Sequence, residues 1–386
     1  MHESGREPLS SLPDISELTG EGMVAILLNS LRPGGAERAM VNLAGALQER
    51  GRPVALVLIS GDGTLRELIS PRVDVVELRA YRAVAALPPL LRWLRAARPE
   101  VMLSACANSN VVSVLAARLA RCGVRTVVCE QTTLSRVARD THRLRHVLVP
   151  WAARWAYPRA DAVVAVSEGV AADLERNLGL ARHQVKVIPN PLTPTIASDV
   201  GTSPPHPWLR DGGSPVLVCV ARLTAAKDLR TLLLAFARLR CTREARLVIL
   251  GEGEERPHLE RLVRRLDLSD TVDLAGHATN PYPAIAAAAV LVLSSRREGL
   301  PTVLIEALAL GTPVVATDCQ SGPREILRGG RLGRLVPTGN PEALARAMAA
   351  ALADGRPVVP PESLSRYSLD DVSERYVEVL DAPATA

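Results

Sequence analysis

Short runs of β-branched and aliphatic residues alternate with amphipathic helical stretches along almost the whole chain, and this alternation constrains its fold more than any other feature. Near-continuously apolar strands need both faces covered, which a parallel sheet achieves by returning through a helix before each new strand. Met23 to Asn29, Pro53 to Ile59, Val73 to Leu78, Val101 to Ser104, Val124 to Cys129 and Ala162 to Val166 are the expected strands of one such sheet. The pattern breaks between Pro189 and Pro215, where PNPLTP and GTSPPHP concentrate Pro, Ser and Gly as a connection between domains does. It restarts with Val216 to Val220, Ala245 to Leu250, Val272 to Ala275, Val290 to Ser294 and Pro313 to Thr317. Two doubly wound α/β domains follow, with a cleft expected between the carboxyl ends of their sheets. The expected boundaries are a disordered polar tail over 1–20, a first domain over 21–192, a linker over 193–214 and a second domain over 215–368. A last segment, 369–386, carries a helix over Asp370 to Leu380 that can pack back on the first domain.

With 386 residues, 47% of them apolar, the chain can bury two sizeable cores. Its net charge of +5 is too small to point to nucleic acid, and none is expected as a partner. The six cysteines, Cys106, Cys122, Cys129, Cys219, Cys241 and Cys319, are scattered, without a C-x-x-C pair or a histidine at ligand spacing. They read as reduced core residues of a cytoplasmic protein, with no metal site. No run reaches the roughly eighteen apolar residues a membrane span needs, and the first twenty lack a hydrophobic signal core. The expectation is a chain that neither crosses a membrane nor is secreted by the usual route.

Two acids in REGLPTVLIEALALGTPVVA carry the most chemistry: Glu298 after the apolar run Ala289 to Leu293, and Glu306 in a helix begun near Pro301. A helix start at the carboxyl end of a strand receives anions. Unpaired N–H groups of Leu300, Thr302 and Val303 suit phosphate there, which leaves the acids for hydroxyl groups. Taken singly, either acid is more simply a solvated residue beside a helix start.

Three further features fall at strand ends. Gly34 and Gly35, in NSLRPGGAER, allow close approach of backbone to a ligand, although a glycine pair is also an ordinary tight turn and this is not the dinucleotide fingerprint. Arg222 and Lys227, five positions apart after Val216 to Val220, place two cations where a diphosphate leaving group could be neutralised without a metal; each alone could equally be a surface cation. Gly251 in LGEG and the pair Gly276 and His277 end successive strands in loops whose backbone could bond a nucleobase edge.

The order of these features resembles a family-four retaining glycosyltransferase of the GT-B class. GGAER resembles that family's first-domain loop, VARLTAAKDLRTLLLAFA its diphosphate-binding segment, EGLPTVLIE its two glutamates with seven residues between, and SEGVAADLERNLGL with VKVIPNPL its segment before the linker. The resemblance implies two Rossmann-like domains facing across a cleft, the first for the acceptor and the second for a nucleotide diphosphate sugar. It implies that Arg222 and Lys227 bind the donor diphosphate, that Glu298 touches the donor sugar and that Glu306 contacts the ribose. The backbone of Gly299, Leu300, Pro301 and Thr302 would lie near phosphates and sugar, and Gly34 and Gly35 would close over the diphosphate. No cofactor is implied, and no side chain is an obvious nucleophile, in keeping with the family's proposed front-face displacement.

Many relatives carry a histidine after the fourth strand, where this chain has LSACANSN. Asn108 or Ser109 is the expected replacement, and Glu130 in VVCEQTTLSR a second acceptor contact. Between Leu134 and Arg159 the chain is basic and aromatic: Leu144, Leu148, Trp151 and Trp155 form one helical stripe with Arg143 and Arg154 beside it. Trp93 and its arginines in LLRWLRAARP repeat the theme. A cationic helix bearing tryptophan suits an anionic bilayer, and equally suits a stripe packed on the sheet with solvated arginines. The expected activity is transfer of a hexose or N-acetylhexosamine, UDP-linked, to a glycan or lipid-linked glycan in polysaccharide or glycolipid biosynthesis, at the inner face of the cytoplasmic membrane. The alternatives are an epimerase or phosphorylase of the same fold, or a non-catalytic scaffold that binds glycan or lipid. A cofactor-dependent phosphorylase would need a lysine for pyridoxal phosphate, and no persuasive one is present.

Overall fold

The computed structural model describes residues 22–135, 144–201, 204 and 206–383; the expected tail and Arg143 lie outside them. The chain divides into two compact units, the first comprising residues up to Ala165, then Asp173–Ile188 and the segment from Ser373, and the second comprising Val166–Ala172 and Pro189–Val372.

The first unit holds seven strands: β1 (Val24–Leu28), β2 (Val54–Leu58), β3 (Asp74–Glu77), β4 (Val101–Ala105), β5 (Arg125–Glu130), β6 (Ala162–Ala165) and β7 (Val185–Val187). They lie in the order β3-β2-β1-β4-β5-β6-β7, all parallel. Every residue of β1, β2 and β4 is buried, as a sheet covered by helices on both faces requires. Trp93, Leu90 and Leu94 of the helix Leu87–Ala97 fill one side of this core against Ala25, Leu27 and Val57. Trp93 is 1% exposed, so it is a core residue and not part of an interfacial surface; its place on the helix puts it on the apolar stripe while Arg92 and Arg95 face solvent. Trp151 and Trp155, on the helix Leu144–Ala156, are different: they are 75% and 39% exposed, and the Arg159 guanidinium lies 4.9 Å from the Trp155 ring centre.

The second unit holds β8 (Val216–Val220), β9 (Arg246–Leu250), β10 (Val272–Gly276), β11 (Val290–Leu293), β12 (Val314–Thr317) and β13 (Arg334–Val336), in the parallel order β10-β9-β8-β11-β12-β13. Phe236 and the leucines of the helix Leu229–Arg240 pack with Leu217, Leu247 and Ile249 at the centre of its core.

Three expectations are corrected. Strands β7 and β13 are additional to those expected; at three residues each they are too short to show a period. The stretch 193–214 is not a bare connection, because it packs within the second unit: Ile196 is buried, the Tyr282 hydroxyl donates to Thr193 Oγ1 at 2.8 Å, and His206 Nε2 lies 2.9 Å from Asp273 Oδ2. Cys241 is exposed and Cys106 and Cys122 are half-buried, so of the six cysteines expected in the core Cys129, Cys219 and Cys319 are the buried ones.

The last helix, Leu369–Asp381, buries Tyr376 and Leu380. Its segment from Ser373 is tied into the first unit by Arg50 Nε to Ser373 Oγ at 3.0 Å, Arg52 to Asp381 at 2.6 Å and Arg125 to the carbonyl of Leu380 at 2.6 Å. Among the described residues, no helix is long and apolar enough to cross a membrane.

Candidate functional site

In an open parallel sheet the crevice for a ligand opens where the strand order reverses. In the second unit that point lies between β8 and β11, and the loops leaving these two strands carry Lys227 and Glu298. After β8 the chain makes a helical turn over Ala225–Lys227 and then places Asp228 in the left-handed region (φ 44, ψ 47), where its side chain caps the helix Leu229–Arg240. The loop after β11 is laced to that turn. Ser294 Oγ donates to the carbonyl of Lys227 at 2.8 Å, the N–H of Arg296 to the carbonyl of Ala226 at 2.9 Å, and Arg296 Nε to Asp228 Oδ2 at 2.8 Å. This lacing brings Lys227 Nζ to 2.6 Å from Glu298 Oε1, with side chains 19% and 9% exposed. Ser295, fully buried, donates from Oγ to the same carboxylate oxygen at 2.6 Å.

Two thiols share this neighbourhood. Burial pushes Cys219 up to about 12, against the attraction of Lys227, and burial with the nearby Glu298 charge does the same to Cys319. Both are held protonated, so neither is an activated nucleophile.

Beyond Glu298 the turn is held from behind. The carbonyl of Gly299 accepts from Ser167 Oγ and from Ser321 Oγ, each at 2.9 Å. Gly322 has φ +91, and a Cβ there would stand 2.4 Å from Pro301 Cδ and 2.9 Å from the Gly299 carbonyl oxygen, so only glycine lets the two loops touch. Leu300 and Pro301 are buried by this contact, and Pro301, at the start of the helix Thr302–Ala309 that follows, offers no side-chain cap. Its first turn therefore presents backbone N–H groups and the positive end of the helix dipole. Glu306 is half-buried and one turn on from Thr302, on the same helical face.

The remaining residues expected on the donor side sit at neighbouring strand ends. Arg222 is exposed on the loop after β8. Gly251 donates its N–H to the Gly276 carbonyl at 2.7 Å, and a Cβ on it would lie 1.9 Å from the Ala221 carbonyl oxygen, so the loops after β8, β9 and β10 stack directly. His277 is exposed at this edge, near Glu252, whose carboxyl is held below its ordinary range chiefly by its bonds to Arg256.

In the first unit Gly34 and Gly35 open the helix Gly35–Glu49 at the end of β1, with Gly34 in extended backbone. Asn108 is exposed in the first turn of the helix Ala107–Ala120, after β4. Ser109 and Glu130, both expected to meet an acceptor, are fully buried. Ser109 donates to the carbonyls of Ala105 and Cys106, which ties the helix start to the end of β4. Glu130 accepts the N–H groups of Gln131 and Thr132 on Oε1 at 3.0 and 3.1 Å and the Tyr157 hydroxyl on Oε2 at 2.5 Å. Asn110 completes the group by donating to Tyr157 Oη and to the Cys129 carbonyl, both at 2.9 Å. Without water, the Glu130 carboxyl is pushed up to about 7, against the pull of these donors.

The sequence reading thus named Lys227 and Glu298, which the fold brings together, and missed Ser295, Asp228, Ser167, Ser321 and Tyr157. Only Ser295 left a local signal, a hydroxyl three positions before a carboxylate in a turn.

Residues 33–195 match the family described as Glycosyltransferase Family 4, and residues 214–354 match Glycosyl transferases group 1. An uncharacterized glycosyltransferase of Methanocaldococcus jannaschii is 32% identical over 177 residues, 45% of this chain and 44% of that one. The N-acetylgalactosamine-N,N'-diacetylbacillosaminyl-diphospho-undecaprenol 4-alpha-N-acetylgalactosaminyltransferase of Campylobacter jejuni is 28% identical over 348 residues, 86% of this chain and 91% of that one. Among solved structures, Anabaena HepE in complex with UDP and glucose matches with a TM-score of 0.75 at 20% identity, covering 93% of this chain and 99% of that one, a likeness of fold.

Proposed function

Because the chain belongs to the family-four, group 1 glycosyltransferases and has their GT-B fold, we propose that it moves a hexose or N-acetylhexosamine from a UDP-linked donor to a lipid-linked glycan, with retention of configuration. The observation that carries this reading is the Lys227–Glu298 pair at the strand-order reversal, beside a helix start whose leading residue, Pro301, has no capping side chain. A sugar diphosphate supplies what such a site can bind: phosphates for the cations and N–H groups, hydroxyls for the carboxylates.

In this reading Arg222 and Lys227 face the diphosphate, Glu298 the sugar and Glu306 the ribose, with the loops of Gly251, Gly276 and His277 at the base. The acceptor hydroxyl attacks C1 from the face the leaving group occupies. The C1–O bond to phosphate breaks as the new C1–O bond forms, and the acceptor proton passes to the departing phosphate oxygen. Negative charge grows on that phosphate, so cations held in place stabilise the transition state more than the ground state and replace a metal. On the acceptor side Asn108 is the exposed polar contact, and Trp151, Trp155, Arg154 and Arg159 form the surface for an anionic bilayer on the cytoplasmic side. The Campylobacter relative, named for a diphospho-undecaprenol substrate, and HepE, solved with UDP and glucose, support these choices of acceptor and donor.

The test is turnover of a panel of UDP-sugars with polyprenyl-diphosphate saccharides, in buffer containing EDTA. Lys227→Ala and Glu298→Ala should each lower kcat on the order of 10²–10³-fold, the scale of a lost oxyanion donor, with unchanged thermal melting. Full turnover in either variant overturns the donor site, dependence on added metal overturns the metal-free reading, and an inverted anomeric signal in the product overturns retention.

A further inference from the structure

Both hydrogen-bond donors on the Glu298 carboxylate converge on one oxygen. Lys227 Nζ and Ser295 Oγ each lie 2.6 Å from Oε1, and among the described residues none donates to Oε2. The two donors differ in kind. Lys227 is on a long flexible stem with part of its surface in water, whereas Ser295 is fully buried on a short one. The backbone of Ser295 is itself held, since Thr317 Oγ1 donates to its carbonyl at 2.6 Å, and Ser294 and Arg296 on either side are bonded to the Lys227 turn.

We propose that Ser295 is a positioning residue for Glu298. It keeps the carboxylate in place, with Oε2 turned to a sugar hydroxyl, when Lys227 exchanges Glu298 for the donor diphosphate. This rests on the donor-site reading above and adds to it a consequence that a resting ion pair alone does not give. An ammonium shared between Glu298 and a diphosphate divides its three N–H donors and its charge between them, so the carboxylate's bond to Lys227 weakens as the nucleotide enters. Without a second, immobile donor it would be free to turn with the lysine or swing into solvent. With Ser295 it keeps one bond, and the acceptor-only carboxylate selects sugars that present a hydroxyl or amide hydrogen at that point.

The test separates sugar recognition from fold and from nucleotide binding. Using the full-length chain, UDP, UDP-glucose, UDP-galactose, UDP-N-acetylglucosamine and UDP-N-acetylgalactosamine are titrated calorimetrically against wild type, Ser295→Ala, Thr317→Val and Lys227→Ala. Ser295→Ala should weaken the best UDP-sugar about tenfold, a typical cost for a lost hydrogen bond to a charged group, while UDP affinity and melting temperature stay near wild type. Thr317→Val, which frees the Ser295 backbone, should move the same ratio in the same direction, and Lys227→Ala should weaken UDP and UDP-sugar alike. An unchanged UDP-sugar to UDP ratio in Ser295→Ala overturns the positioning role while leaving the donor site intact if Lys227→Ala still loses UDP. Equal losses for UDP and UDP-sugar with a lowered melting temperature mean a structural role only, and overturn it too. A wild-type chain that binds none of these nucleotides overturns the donor-site reading and this inference together.

Discussion

The carboxyl of Glu130 has four protein groups around it and no solvent: two backbone N–H groups, the Tyr157 hydroxyl, and beyond that hydroxyl the amide of Asn110. Burial outweighs these donors and raises its pKa from 4.5 to about 7. The folded chain thus binds a proton at pH values where the unfolded chain has lost it, so this contribution to stability is full below about 4.5 and is lost as pH rises through about 7. Between pH 5 and pH 8 wild type should therefore lose on the order of 2–3 kcal/mol relative to Glu130→Gln, as denaturant melts across that range would show. A parallel course for the two proteins would mean that Glu130 does not titrate there. Gly322 makes a second single-residue case: Gly322→Ala combines a left-handed φ with a 2.4 Å approach to Pro301 and should cost about 2–4 kcal/mol in a denaturant melt. The residue types of the expected donor site were legible in the sequence through their order along the chain, since each cation or acid taken singly is an ordinary surface residue. Their hydrogen-bond partners were not, since Ser167 and Ser321 look like any other serine until the chain brings them to one carbonyl.

Among the elements, the helix Leu229–Arg240 begins at a residue that does two jobs. Asp228 accepts from the N–H and hydroxyl of Thr231, which starts the helix, and from Arg296, which holds the loop leading to Glu298. Asp228→Asn keeps a good capping oxygen and should leave stability within about 0.5 kcal/mol, whereas Asp228→Ala should lose about 1–2 kcal/mol by removing the cap. Chemical denaturation of the two variants distinguishes these outcomes, and equal losses would assign the effect to the Arg296 contact. The strands of five or more residues were readable from their apolar runs to within a residue or two, β8 to the residue. The two three-residue strands were not, because their pairing in the sheet, and not their own pattern, makes them strands. The same limit explains Trp93: a tryptophan flanked by arginines looks interfacial in one dimension, and only the packing of its helix on the sheet turns the ring inward.

For the molecule as a whole, the last helix is the clearest case of distant residues completing a core. Tyr376 is buried against the end of β5, with its hydroxyl 3.3 Å from Cys129 Sγ, and burial holds that thiol at about 12. A chain ending at Ser368 should lose more than about 3 kcal/mol of stability in the first unit, and Cys129, inert in the full chain, should become alkylated within the labelling time of Cys241. Retained protection of Cys129, read by mass spectrometry, would show that β5 does not depend on the helix. At this scale too, Trp151→Ala should leave melting unchanged, since its ring is 75% exposed, and together with Trp155→Ala it should reduce sedimentation with phosphatidylglycerol vesicles at least about fivefold. Equal sedimentation would overturn the membrane-facing role proposed for these two rings. By itself the sequence determined two parallel α/β units and the chemical types at the ends of their strands, because hydropathic period and helix signals are local properties of the chain. Only the tertiary structure decided that Lys227 and Glu298, 71 positions apart, form one ion pair, and that Ser295 shares its oxygen. Strand order places those groups side by side, and strand order is settled by which helices can cover which strands, a competition among the parts that no single segment records.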